Sequence, residues 1–226
     1  MKPDQKLRRH DPYCQEAIKA YKGLDVYMSK LNFDATVPIH FHCLAMATAV
    51  RETMYCMLHL RKLDSDNQMF PMLRQMMELS CYLAFVAQNP YSNYEKIALK
   101  DFKARLSYLG RVHEVDDDED MKKDRDELLR IENELKGKHG NALGFYEIVK
   151  SVAPEEFYDE YRFLSPFAHS NLVSLERRYQ RDTNGGVEPF KPMPEEDMKH
   201  LWNLAEHFLD SITISMDILK KKLGKN

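Results

Sequence analysis

Glycine and long apolar runs are both scarce in this chain. Only eight of its 226 residues are glycine. No stretch alternates apolar and polar residues with β-branched enrichment between turn signals, so a fold built on sheets is excluded. The longest mostly apolar stretch, residues 37–50, is too short to span a bilayer and contains His40 and His42. We therefore expect a helical protein that does not enter a membrane.

Several kinds of site are also missing. The four cysteines form no CxxC pair and have no zinc-type spacing with histidine, which favours a reducing compartment. The first residues lack the apolar segment of a signal peptide, so we expect a cytoplasmic protein. There is no GxGxxG, no P-loop and no Glu-x-x-His pair of the di-metal type, so we expect neither a metal nor a cofactor. A net charge of -3 gives no global signal for binding polyanions.

Helical periodicity extends over most of the sequence. It predicts an all-α fold, with residues 1–226 forming a single-domain up-and-down helical bundle of about seven or eight helices. Residues 114–140 are rich in charge and predict a peripheral helix or arm. Pro166 predicts a kink, or a helix restart capped by Ser165, because proline cannot donate a helical hydrogen bond. Residues 181–194 are typical of a surface loop.

Two charged residues interrupt the most apolar predicted helix, residues 69–87. Arg74 and Glu78 are four residues apart and share a face of that helix. Such a pattern is more often a structural ion pair, in which the two charges only neutralise each other. The alternative is an arginine held by glutamate so that its guanidinium binds an anion.

A second polar cluster, Arg162 to Asn171, follows in YRFLSPFAHSN. In an unbroken helix the seven-residue separation of Arg162 and His169 places both on one side, with Ser165 between them. Arginine can hold a phosphate and stabilise its developing charge, and histidine can transfer a proton near neutral pH. The pair could cleave RNA without a metal, using the ribose 2′-hydroxyl as nucleophile. Alternatively, His169 is a core histidine, Ser165 a helix cap, and Arg162 the partner of Glu156 or Glu160.

These residues also carry a resemblance. Arg74-x-x-x-Glu78 together with Tyr161-Arg162-Phe163-Leu164-Ser165 and His169-Ser170-Asn171 resembles an uncharacterised bacterial family, domain of unknown function five-six-seven-seven, over residues 47–175. More distantly, Arg162 and His169 resemble the Arg, four to six residues, His pattern of HEPN-superfamily ribonucleases. That second resemblance implies a helical bundle acting as a homodimer. Phe163 stands where many HEPN ribonucleases have a polar residue.

Three hypotheses follow for the function. The first is a metal-independent RNA endonuclease of a toxin or phage-defence system. In it Arg162, Ser165 and His169 are catalytic, and Arg74, Glu78, Tyr161, Ser170 and Asn171 bind or orient. The second is a non-catalytic module that binds an anionic ligand or a partner protein with the same cluster. The third is that the cluster only ties helices together.

Overall fold

The fold is a bundle of long helices, as the periodicity predicts. The computed structural model describes residues 14–62, 68–113, 119–168, 179–181, 187–189 and 194–224. Within these ranges there are eight helices: α1 Cys14–Met28, α2 Pro38–Lys62, α3 Met69–Gln88, α4 Pro90–His113, α5 Glu119–His139, α6 Phe145–Val152, α7 Glu156–Ala168 and α8 Glu195–Leu223. The prediction of an all-α bundle is confirmed. Among these helices, none is long and apolar enough to cross a membrane.

The third helix, α3, lies at the centre. It packs against α2, α4, α6, α7 and α8, which is why its sequence is apolar on nearly every side. The last helix, α8, packs against both α1 and α3 and buries its single tryptophan, Trp202, completely. One continuous core cluster draws residues from α1, α2, α3, α6, α7 and α8. The position of α3 therefore decides where its few polar residues can lie.

The charged segment forms α5, which packs chiefly along α4. Two contacts attach its C-terminal end: Lys138 Nζ donates to Glu95 at 2.8 Å, and His139 Nε2 lies 2.6 Å from the same carboxylate. Gly140 follows with a φ of 78°, and its N–H bonds to the Lys136 carbonyl. Glycine suits this position because the left-handed conformation strains residues that carry a β-carbon.

The structure corrects two expectations about local structure. The restart capped by Ser165 is wrong, because α7 runs as one helix through Pro166 to Ala168, while the alternative of a kink at Pro166 stays a prediction. The packing of Leu164 and Phe167 into the core holds the helix together where one backbone hydrogen bond is missing. The expected loop contains short strands, since β1 Tyr179–Arg181 pairs antiparallel with β2 Val187–Pro189. Strands of three residues are too short to produce a visible alternation.

Two of the four cysteine thiols are buried in this core. Burial raises the pKa of Cys43 to about 12. Burial, together with the nearby Glu78 carboxylate, raises the pKa of Cys81 to about 12 as well. Cys56, in contrast, is exposed.

We predict that a disulfide reagent at about pH 8 modifies Cys56 quickly in the native protein, while Cys43 and Cys81 react only after unfolding in denaturant. The physical reason is that only a thiolate attacks the reagent, and burial keeps the two core thiols protonated and inaccessible. Thiol release followed by absorbance measures the rates. Rapid release of more than one thiol from folded Cys56→Ser protein, in which Cys14 is the only other thiol outside the core, would contradict the assignment.

Candidate functional site

The polar residues of α3 form one stripe. Arg74, Glu78 and Tyr82 follow each other at intervals of four residues, which places them along one side of the helix. Arg74 Nη2 lies 3.1 Å from Glu78 Oε1, and the two side chains are only 16% and 30% exposed. The ion pair considered from the sequence is therefore present within the helix. Its partial burial means that neither charge is fully hydrated, so each needs further partners.

Tyr161 of α7 supplies such a partner. Arg74 Nη2 donates to the Tyr161 hydroxyl at 2.7 Å, and the guanidinium carbon lies 4.8 Å from the centre of the tyrosine ring. Arg74 thus contacts Glu78 on its own helix and Tyr161 on another. A hydrogen bond from a charged donor is stronger than one between neutral groups, so this contact joins α3 to α7 firmly.

A second cation approaches the stripe from α4. Lys100 Nζ donates to the Tyr82 hydroxyl at 2.7 Å. The ammonium lies 5.3 Å from the ring centre, beyond the hydroxyl end, so the contact is a hydrogen bond rather than a cation on the ring face. Burial lowers the pKa of Lys100, but the Tyr82 hydrogen bond and the nearby Glu78 and Asp101 carboxylates outweigh it, and the net shift is upward. Lys100 therefore keeps its charge at neutral pH.

Phe145, at the start of α6, separates the two tyrosines. Its ring centre is 5.7 Å from that of Tyr82 and 4.5 Å from that of Tyr161. Gly144 is the residue directly before the helix, and a β-carbon there would lie only 2.6 Å from the Glu147 carboxylate. Glycine thus leaves room for Glu147 to fold back over the helix start, and Phe145 is placed against α3. We call Arg74, Glu78, Tyr82, Lys100 and Tyr161 the α3 polar cluster.

Arg162 lies in a different environment from the adjacent Tyr161. Its side chain is 73% exposed, and its nearest described carboxylate is that of Asp159, 3.7 Å away and 77% exposed. The partners suggested by the sequence, Glu156 and Glu160, are not the ones used. Asp159 is one turn earlier on the same face of α7, whereas Glu160 contacts His200 of α8 at 3.0 Å. Such an exposed pair contributes little to stability.

The remaining predicted site residues divide into two groups. Ser165 is half-buried on α7, three residues after Arg162. His169, Ser170 and Asn171 lie outside the described residues. The structure brings Arg74, Glu78 and Tyr161 together. Arg162 follows Tyr161 directly in sequence but faces solvent. No group of three metal-ligand side chains occurs among the residues that the structure describes.

Three residues of this region were not anticipated: Tyr82, Phe145 and Lys100. The spacing of Tyr82, four residues after Glu78, was a readable signal that it shares the stripe. Phe145 and Lys100 come from two other helices, so nothing in their local sequence distinguishes them from ordinary core and surface residues. Only the packing of α4 and α6 on α3 assigns them to the cluster.

The fold and this cluster describe a predominantly helical protein with a partly buried polar site. The chain belongs to a family of unknown function (DUF5677), whose model matches residues 40–187. The match covers α2 from its third residue, all of α3 to α7, and therefore the whole α3 polar cluster. No curated protein and no solved structure matches the chain.

We predict that Tyr161→Phe lowers the free energy of unfolding by about 1–2 kcal/mol while leaving the helical content unchanged, because Arg74 loses a hydrogen-bond acceptor in a partly buried place. Denaturant titration followed by circular dichroism measures the change. Tyr158→Phe is the matched control, since the Tyr158 ring stacks on Tyr161 at 5.7 Å on the same helix. Equal losses for the two variants would show that the hydroxyl contact with Arg74 contributes nothing.

Proposed function

We propose that this protein is a metal-independent RNA endonuclease in which Arg162 and His169 act as a pair. The observation that carries the proposal is the state of Arg162: an exposed guanidinium with one weak, exposed partner, on a helix that continues unbroken to Ala168. A weak exposed ion pair is readily exchanged for a phosphate, whereas the buried Arg74 is already engaged with Glu78 and Tyr161.

The chemistry requires no metal. The ribose 2′-oxygen attacks the neighbouring phosphorus, the bond to the 5′-oxygen of the next nucleotide breaks, and a 2′,3′-cyclic phosphate and a free 5′-hydroxyl result. His169 takes the 2′-hydroxyl proton or gives a proton to the leaving 5′-oxygen. Arg162 and the Ser165 hydroxyl hold the non-bridging oxygens, where charge builds in the transition state. Ser170 and Asn171 orient the phosphate, and Tyr161, held by Arg74, fixes the position of Arg162 on α7.

The α7 surface also constrains how RNA is recognised. Glu156, Asp159 and Glu160 lie on the same helix as Arg162, so α7 carries more acidic than basic residues. Binding driven by general attraction to the RNA backbone is then weak, and affinity depends on specific contacts. We propose a homodimer that acts on a particular RNA in the cytoplasm, as a toxin or in phage defence, instead of degrading RNA indiscriminately.

We predict that the wild-type protein cleaves RNA in the presence of a chelator, and that Arg162→Ala and His169→Ala each lower the rate at least about 100-fold, because each removes a group required in the transition state. Arg162→Ala leaves the thermal midpoint unchanged, since its ion pair is exposed. Gel analysis of total RNA, with mapping of cyclic-phosphate ends, measures the activity. Arg130→Ala is the control, because Arg130 is an exposed arginine of α5. Cleavage that survives both substitutions, or that is absent from all RNAs tried, rejects the proposal.

A specific observation favours a second candidate, a binding module for a small anionic ligand. Arg74 and Lys100 both lie near Glu78, so the five residues of the α3 polar cluster include two cations and one carboxylate, with the Asp101 carboxylate also near Lys100. The ammonium of Lys100 has three N–H donors, and the Tyr82 hydroxyl accepts from only one of them. A phosphate or carboxylate ligand of this cluster would be bound by Lys100 without displacing the Arg74–Glu78 pair.

We predict for this second candidate that inorganic phosphate or a phosphorylated metabolite raises the thermal midpoint of the wild-type protein, and that Lys100→Met abolishes the increase, because binding to the folded state stabilises it. Thermal-shift measurements at constant ionic strength test this. Lys96→Met serves as the control, since Lys96 lies one turn earlier on α4. An increase of the same size in the Lys100→Met protein would place the ligand elsewhere.

A further inference from the structure

The outer face of α8 carries two isoleucines that the bundle leaves in solvent. Ile214 is 62% exposed and Ile218 is 37% exposed, and they are one turn apart. The opposite face of the same helix is buried almost completely against α1 and α3. Single exposed apolar residues need no explanation, but two adjacent ones beside an apolar groove form a surface that another molecule can cover.

Such a groove lies between α8 and the C-terminal ends of α3 and α6. Its far wall is apolar, formed by Ala84, Ala87, Val152, Ala153 and Pro154, and its near wall is the α8 ridge with Ile214 and Ile218. Asp210 lies at one end of the ridge and Lys222 at the other, so the sequence of features along α8 is acid, isoleucine, isoleucine, base. We call this surface the α8 groove.

Acidic and basic residues lie at different positions along α8, so two antiparallel copies of the helix can bring opposite charges together. Its first turn contains Glu195, Glu196 and Asp197, and its last turn contains Lys220, Lys221 and Lys222. In an antiparallel pair centred between Ile214 and Ile218, the three lysines of each copy lie opposite residues 210–212 of the other, which include Asp210, and the acidic first turn extends past the end of the partner helix. The helix dipoles favour the same orientation. A parallel pairing would bring like charges together.

Lys222 can donate a further hydrogen bond to such a partner. Its ammonium donates to the carbonyl oxygens of Ala87 at 2.8 Å and Gln88 at 2.7 Å, at the end of α3. These two bonds hold the charge at the edge of the groove and use two of its three donors. The third N–H remains for a carboxylate approaching across the groove.

We propose that the α8 groove is the interface through which two copies of this chain form a two-fold symmetric dimer. In this arrangement Ile214 of each copy packs against Ile218 of the other, and Asp210 of each lies opposite Lys222 of the other. The two residue numbers of the isoleucine pair add up to the same total as those of the Asp210–Lys222 pair. This equality is what a two-fold axis midway between Ile214 and Ile218 requires. The segment from His207 to Lys222 is about 24 Å long. With the groove walls on both copies, that length suits an interface above about 1,000 Å².

The inference rests on the homodimer proposed above, but not on RNA cleavage. The first test is the molar mass of the protein, measured by light scattering or sedimentation at about 1 and about 100 µM. The wild-type protein is expected to be a dimer at the higher concentration. Ile214→Glu is expected to weaken the dimer at least about tenfold while retaining its helical content, because it buries a charge in an apolar contact. Val26→Glu, at another exposed apolar position on α1, is expected to remain a dimer.

The antiparallel register has its own test. In a Cys56→Ser background, a mixture of Ile214→Cys and Ile218→Cys proteins is expected to form a disulfide-linked dimer faster than either protein alone. The reason is that only the mixture places two introduced thiols directly opposite each other, within the Cα separation that a disulfide tolerates. Equal rates for the mixture and the single proteins would overturn the register.

The outcomes separate this inference from the proposed function. A wild-type protein that is monomeric at the higher concentration, or an Ile214→Glu protein that dimerises as the wild type does, overturns the α8 interface whether or not RNA is cleaved. Loss of folding in Ile214→Glu while Val26→Glu folds overturns it too, because the isoleucine would then be covered within its own chain. A dimer that dissociates on Ile214→Glu supports the interface even if no RNA is cleaved.

Discussion

Arg74 carries a permanent charge into a helix that the rest of the bundle surrounds. Removing a guanidinium from water is unfavourable by several kcal/mol unless other groups offset the loss, on the order of magnitude known for buried ions. Glu78, one turn away, supplies the opposite charge, and Tyr161 supplies an acceptor from a second helix. The relative placement of α3 and α7 therefore follows from where this guanidinium finds its partners, and other features of the site follow from that placement.

One such feature is the contrast between the two arginines of the site. Because Tyr161 points to Arg74, the next residue along α7 is rotated by about 100° and faces solvent. Arg162 is accordingly exposed, with a weak carboxylate partner, while Arg74 is mostly buried with strong ones. An arginine that is mostly buried and already bonded to Glu78 and Tyr161 suits a positioning role, and an exposed one suits contact with a ligand. The continuity of α7 through Pro166 keeps Arg162 on the same helix as the residues up to Ala168.

The last helix combines two roles on opposite faces. Its apolar face closes the core around Trp202, and its outer face carries Ile214 and Ile218 between an acidic and a basic end. The Lys222 ammonium belongs to both faces, since it satisfies the terminal carbonyls of α3 and also lies at the edge of the α8 groove. The same helix thus contributes to the stability of the monomer and to the surface through which we infer that it pairs.

Much of the fold could be predicted from the sequence, because helix positions depend on local periodicity. The bounds predicted for α3, residues 69–87, differ by one residue from those observed, and the Arg74–Glu78 pair follows from a spacing of four. The helix restart expected at Ser165 was wrong because local chemistry disfavours proline within a helix, whereas Leu164 and Phe167, buried in the core, hold α7 together. Lys100, Phe145 and Tyr161 reach the stripe on α3 from three other helices.

The sequence by itself determined which segments are helices and which face of each is apolar. Only the tertiary structure decided which polar groups meet, because contacts between helices depend on packing across the whole chain and not on spacing within any one segment.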